Sequence, residues 1–280
     1  MSNRNINLLY RRDIDGLRAI AVLPVIFFHA GFELFSGGFI GVDIFFVISG
    51  YLITSIILQD IENNKFSLSS FYLRRARRIL PALFFITICC IPVSYFALTP
   101  GDMKNFGQSL IAVSTFSSNI LFYLESDYFG GASELKPLIH TWSLAVEEQF
   151  YIIFPLLLLA FYKFKRKIII SLLIFIFLIS FLSANLATLL PNRPMLASAA
   201  FYHLPFRAWE LLIGVFCAYA TNINFFNKNF FTREMTPLLG AFLIIISVTS
   251  FDKTTPFPSF YALAPTLGTA LIILSPNKGT

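Results

Sequence analysis

The chain has 280 residues, 56 % of them apolar and only 13 % charged, and its mean hydropathy is +0.73. Charged residues fall to about half the usual ~25 % share, which excludes a soluble enzyme, a disordered chain, a collagen-like rod and a disulfide scaffold, and leaves a polytopic membrane protein. The net charge of +6 reads as basic cytoplasmic loops obeying the positive-inside rule, so no nucleic-acid partner is expected.

Residues 1–18 are polar and carry Arg4, Arg11, Arg12 and Arg18. No small-residue cleavage site follows the first apolar run, 19–35, which predicts a retained helix with a cytoplasmic N-terminus. After the turn Ser36-Gly37-Gly38 comes a second run, 39–58. A basic polar stretch ends in Arg74-Arg75-Ala76-Arg77-Arg78 and precedes a third run, 79–98. Residues 105–124 form the most polar run, with Gln108 and several serines. A polar loop, 125–139, leads to 142–162, apolar apart from Glu147, Glu148 and Gln149. The basic stretch 163–167 is followed by a clean span, 168–190, and by 206–220, 237–250 and 257–274. At about 20 residues per crossing, the pattern predicts an all-α polytopic helical bundle of eight or nine hydrophobic segments.

Lysine and arginine set the orientation. The stretches 74–78 and 163–167 are both cytoplasmic only if 105–124 does not cross fully, so that run is read as re-entrant or interfacial. A reporter fused at Glu134 tests this; a cytoplasmic signal there would overturn it. Cys89, Cys90 and Cys217 lie in apolar runs without metal spacing, so they are read as small core residues, and no metal site is expected. No internal repeat is visible. The chain stops at Ser275-Pro276-Asn277-Lys278-Gly279-Thr280, just after a predicted helix, so residues 1–280 are read as one transmembrane domain incomplete at its C-terminus.

A few polar residues sit where lipid should forbid them. Arg18 and His29 are eleven residues apart, about three helical turns and roughly 16 Å, so they share a face. Arg18 is expected at the cytoplasmic boundary and His29 deep in the span or in its outer half, with Pro24 between them as a site for a kink. His29 is either a general base or acyl-carrying nucleophile, or a hydrogen-bonding partner for a neighbouring helix. Glu147 and Glu148 point about 100° apart, so at most one faces a given cavity. His140 shares a face with Glu147 if that helix extends back far enough, and a carboxylate there would fix the imidazole tautomer. The alternative puts both acids in the membrane interface. Arg75 and Arg78 are one turn apart, as are Arg74 and Arg77. Such clusters bind phosphates, or anchor a cytoplasmic loop against anionic membrane lipid. Arg207 and Glu210, at i and i+3, predict a structural pair on a helix surface. Asp43 and Ser49 are polar notes in an apolar span, and Gly50 permits close helix approach.

Five stretches then occur in order: Asp15-Gly16-Leu17-Arg18-Ala19 with His29 downstream; the run from Gly38 to Ile53; Phe71-Tyr72-Leu73-Arg74-Arg75-Ala76-Arg77-Arg78-Ile79-Leu80-Pro81; the run from His140 to Tyr151; and Phe206-Arg207-Ala208-Trp209-Glu210-Leu211-Leu212-Ile213-Gly214. Together they resemble the membrane acyltransferase-3 family, nearest its bacterial O-antigen and peptidoglycan O-acetylase branch. The resemblance implies an acyl group, usually acetyl, moved from cytoplasmic acyl-CoA to a hydroxyl of a cell-surface polysaccharide or lipid-linked glycan, by a multi-pass protein of the bacterial inner membrane. It implies Arg18 and His29 as functional residues and Arg75 and Arg78 as the family's R-x-x-R, and it puts the acid of the S-L-x-x-E pattern on Glu147. Acyl-CoA enters as co-substrate, with no permanently bound cofactor. Members of the branch usually carry further helices and often an extracytoplasmic SGNH hydrolase-like domain, neither of which lies in these residues. The expectation is therefore an O-acyltransferase in which His29, Glu147 and His140 are catalytic, with His140 as a partner for Glu147, and Arg18, Arg75 and Arg78 hold the donor at the cytoplasmic mouth. The rival is a transporter of a glycan or a proton-coupled solute, whose path would also carry His, Glu and Arg.

Overall fold

The computed structural model describes residues 11–128, 136–161, 166–190, 193–222 and 230–275. Expectations for Arg4, Glu134 and residues 163–165 and 276–280 lie outside them. Among the described residues there are eleven α-helices and no strand: α1 (Arg12–His29), α2 (Gly41–Glu62), α3 (Leu68–Ala97), α4 (Pro100–Ser114), α5 (Ser118–Tyr128), α6 (Thr141–Phe161), α7 (Arg166–Leu189), α8 (Pro194–Tyr202), α9 (Leu204–Asn222), α10 (Phe230–Ser250) and α11 (Leu263–Leu274). Among the described residues, four helices are long and apolar enough to cross a membrane: α2 with the turn before it, α3, α6 and α7. The first helix is outside that set, since it carries Arg12, Asp13, Asp15 and Arg18 in its first two turns.

The centre of the bundle is the pair α2 and α9, which run side by side in the same direction. Asp43 meets Arg207 near their starts, and Asn222 donates to Glu62 at their ends. Between these points the backbones nearly touch. A Cβ on Gly50 would lie 1.9 Å from the carbonyl oxygen of Leu211, and one on Gly214 would lie 2.0 Å from that of Val47. Only glycine allows this approach, as expected for Gly50. Both helices feed two cores. One joins Leu17, Ile44, Trp209, Ile244 and Ile273 from α1, α2, α9, α10 and α11. The other joins Phe46, Val146, Phe154, Leu173 and Leu212 from α2, α6, α7 and α9.

The first helix packs antiparallel to α2, with Gly38 against the carbonyl of Pro24 and Gly41 against that of Ala21. Its start is stitched to the far end of the chain. Arg11 donates to the Tyr51 hydroxyl at 2.7 Å and to the carbonyl of Ile273, in the last turn of α11, at 2.8 Å, and it also pairs with Asp13.

The structure agrees with the expectation that 105–124 does not cross as one helix and departs from the sequence expectations at several other points. The run 105–124 breaks into α4 and α5 around Phe116, whose φ of +52° lies in the left-handed region. Helices of 15 and 11 residues are too short for a hydrocarbon core of about 30 Å, so no single helix crosses there. Thr99 caps α4 and Pro100 opens it. The basic stretch is not a loop. It lies inside α3, which runs unbroken for 30 residues from its Ser67 cap because Leu, Ala and Arg are strong helix formers. Residues 194–202 add α8, a nine-residue helix too short to register as a crossing in the sequence. His29 is the last residue of α1, which favours the second of its two expected placements over the deep one, and Arg18 lies two turns inside the helix rather than at its boundary. Cys89 is exposed and Cys90 half-buried, because α3 turns most of its apolar surface outward; Cys217 alone is buried as expected.

Candidate active site

Two groups of the predicted residues come together, at different levels of the bundle. The first gathers side chains from α1, α2, α3 and α6. Tyr151, halfway along α6, is 2 % exposed. Its hydroxyl donates to Glu147 Oε2 at 3.0 Å, one turn earlier on the same helix. Across from it, the Arg75 guanidinium of α3 lies 4.3 Å from the centre of the Tyr151 ring, within cation–π range. Ser49 of α2 interacts with both Glu147 and Tyr151. Arg78, one turn after Arg75, lies in the electrostatic field of Arg75, Arg18, Tyr151 and Glu147. Arg18 is steadied by Asp15, which accepts from its Nη1 at 3.0 Å. Glu148 stands beside Arg75 and Glu147. Arg75, Glu147 and Glu148 are half-buried and Arg78 is exposed, so the cluster is charged and accessible.

The second group is His29 with His140. His29 ends α1 and His140 closes the turn before α6, and both are exposed. Desolvation first, and then the neighbouring His29, push the His140 imidazole below its usual value. At neutral pH His140 is therefore an uncharged ring with a free basic nitrogen. The helical rise along α1 separates the arginine level from the histidine level by about 16 Å.

Two details correct the sequence reading. The seven-residue spacing predicts a Glu147–His140 contact, but α6 begins only at Thr141. His140 lies in the preceding turn, off the helix face, while Glu147 turns to Tyr151, Ser49, Arg75 and Arg78. Arg75 and Arg78 do not sit at the end of the bundle. The first turns of α3 lie against the middle of α6, with the Tyr72 hydroxyl donating to the carbonyl of Ile152 at 3.1 Å, and this carries both arginines inward to the level of Tyr151.

A third ionic group is sealed. Arg207 lies 3.1 Å from Asp43 and 3.1 Å from Glu210, and all three side chains have 0 % exposure. The rings of Phe46, Trp142, Phe201 and Phe257 surround the guanidinium at 5.2 to 5.8 Å. The i, i+3 pair is present, but buried rather than on a helix surface. Its second carboxylate comes from α2, 164 positions away. No local spacing signals that partner; the available cue is that an acid inside an apolar span needs a cation. Tyr151 was missed too, although a tyrosine four residues after an acid is a helical neighbour of it. Among the described residues, no group of three His, Cys, Asp or Glu is placed to hold a metal ion.

The sequence matches the family model of an acyltransferase domain over residues 11–279. It is 41 % identical over 219 residues to the peptidoglycan O-acetyltransferase OatA of Listeria monocytogenes, covering 77 % of this chain and 35 % of that protein. It is 36 % identical over 213 residues to the O-acetyltransferase OatA of Staphylococcus aureus, covering 75 % and 34 %. The chain thus spans about a third of the length of these relatives. An uncharacterized protein of Haemophilus influenzae is 36 % identical over 244 residues, covering 82 % of this chain and 96 % of its own length. No solved structure matches significantly.

Proposed function

The chain belongs to the acyltransferase-domain family, and from that membership we propose that it is a membrane O-acyltransferase of the bacterial plasma membrane. It takes an acyl group, acetyl in the simplest case, from cytoplasmic acyl-CoA and places it on a hydroxyl of a cell-surface glycan. The peptidoglycan and O-acetyltransferase names of the relatives support peptidoglycan as the acceptor and acetyl as the group.

The observation that carries this reading is the convergence of Arg75 and Arg78 on Glu147, with Arg18 of α1 in the field of Arg78, while the C-terminal end of α1 presents His29 beside His140. Guanidiniums grip phosphates through paired N–H donors, so the arginine level suits the phosphates of the donor. The separation of roughly 16 Å leaves room for a long flexible arm to bring a thioester to the histidines. There His29 accepts the proton of the acceptor hydroxyl while that oxygen attacks the thioester carbonyl. The carbon–sulfur bond breaks, and the departing thiolate takes up the proton. His140, uncharged at neutral pH, holds the reacting imidazole or hydroxyl in place without competing for positive charge.

The test uses the bacterial host. The gene is deleted and restored as wild type or as His29→Ala at equal expression, and ester-linked acetate on purified peptidoglycan is measured by mass spectrometry. Acetate should vanish on deletion and return with wild type only. Unchanged acetate in every strain would overturn the reading and favour a transporter. An acetylated His29 trapped by rapid quench would assign a two-step route through the imidazole.

A further inference from the structure

Resting on the acyl-transfer reading above, we propose that Tyr151 is a positioning residue that serves both halves of the charged cluster, its hydroxyl fixing Glu147 and its ring face fixing Arg75. Tyr151 is where three helices meet. It stands on α6, takes Arg75 of α3 against its ring at 4.3 Å, and interacts with Ser49 of α2. Its ring is locked in the second core beside Phe150 and Phe154, so it cannot swing away from either partner.

A phenylalanine would fill the same volume. The hydroxyl is therefore the informative atom, and it is spent on Glu147 Oε2 at 3.0 Å. Arg75 and Arg78 act on Glu147 through space, while the direct bonds of the carboxylate go to the Tyr151 phenol and to Ser49. This arrangement matters for a cluster that must bind anions. A carboxylate free to swing would close onto the nearest guanidinium and compete with incoming phosphate. Tethering one oxygen to Tyr151 holds Glu147 near the arginines without neutralising them. The ring does the complementary task for Arg75. Its Nε is buried without a hydrogen-bond partner, so contact with the Tyr151 face holds the guanidinium, and its N–H groups stay available to a ligand. The adjacent Glu148 Oε1 is likewise buried and unpartnered.

The two functions separate by substitution. The full-length protein is purified into lipid nanodiscs and assayed with acetyl-CoA as donor and a soluble peptidoglycan fragment as acceptor. Tyr151→Phe keeps the ring and loses the tether, so the donor KM should rise about tenfold while kcat stays within about twofold. Tyr151→Leu loses both, so the donor KM should rise a further severalfold above that of Tyr151→Phe. In a Glu147→Gln background, Tyr151→Phe should cost less than about twofold more, because the two groups act as one unit. Should Tyr151→Leu fail to accumulate, the Tyr151→Phe and Glu147→Gln cycle decides alone. Additive losses in that cycle, or Tyr151→Phe activity equal to wild type, would overturn the assignment and leave the acyl-transfer reading standing. A wild type that transfers nothing from acetyl-CoA would overturn both.

Discussion

Two arginine–carboxylate clusters share this bundle and differ in what surrounds them. Arg207 lies between Asp43 and Glu210 with no exposure at all, inside a ring of four aromatic side chains, where α2 and α9 meet at glycines. Arg75 and Arg78 share the field of Glu147, with Arg18 beside Arg78, but they lie half-buried or exposed on α3, whose apolar stretch is largely uncovered where that of α2 is mostly buried. The ingredients are the same. Sealed from solvent, they join helices; left open, they offer charge to a ligand. The sealed cluster pays for desolvation with geometry, and removing its cation would strand two carboxylates in an apolar interior.

The two clusters should respond very differently to the loss of one arginine. Arg207→Met should cost about 3–5 kcal/mol of stability, because it leaves Asp43 and Glu210 without a cation. The readout is the thermal midpoint of the purified protein in detergent. Arg78→Met should leave that midpoint nearly unchanged, and equal losses for the two variants would erase the distinction. Next in size is Gly50→Ala, expected to cost about 1–3 kcal/mol through forced separation of α2 and α9; wild-type stability in this variant would show that the close approach can relax. At the open cluster, Arg78→Gln should raise the donor KM about tenfold, close to 1.4 kcal/mol, with folding intact. The smallest effect concerns the histidine level. The proximity of His29 helps to hold His140 below its usual pKa, so His29→Gln should shift the His140 titration upward, toward the ordinary value near 6.5. An NMR titration of the labelled imidazole reads this directly, and a downward shift or none would show that the two rings do not sense each other.

Much of the scaffold was legible. The runs that became α2, α6 and α7 are apolar over about 20 residues, which is what a crossing requires. The i, i+3 and i, i+4 spacings placed Arg207 beside Glu210 and could have placed Tyr151 beside Glu147. What stayed hidden was either non-local or decided by helix ends. Asp43 gives no sign of Arg207, because nothing in the intervening 164 positions encodes their meeting. The face shared by His140 and Glu147 was extrapolated past the true start of α6. The arginines of 74–78 looked like a loop because they are polar, yet polarity is no barrier to helix where the residues are good formers and a serine caps the start. The break at Phe116 was visible only as polarity. Its fixation depends on Gln149, which donates to the Phe116 carbonyl at 3.1 Å and to Asn119 Oδ1 at 2.8 Å.

The bond from Arg11 to the carbonyl of Ile273 has a meaning in time as well as in space. Its partners are 262 positions apart. At a synthesis rate of about 5–20 residues per second, that is a wait of roughly 13–52 s. For this interval Arg11 can hold the Tyr51 hydroxyl, which is made early, through its other guanidinium nitrogen. The earliest helix is thus anchored at one point first and gains its second anchor only when α11 arrives. A translational pause or a stalled insertion anywhere between them prolongs the period in which the first helix can still let go.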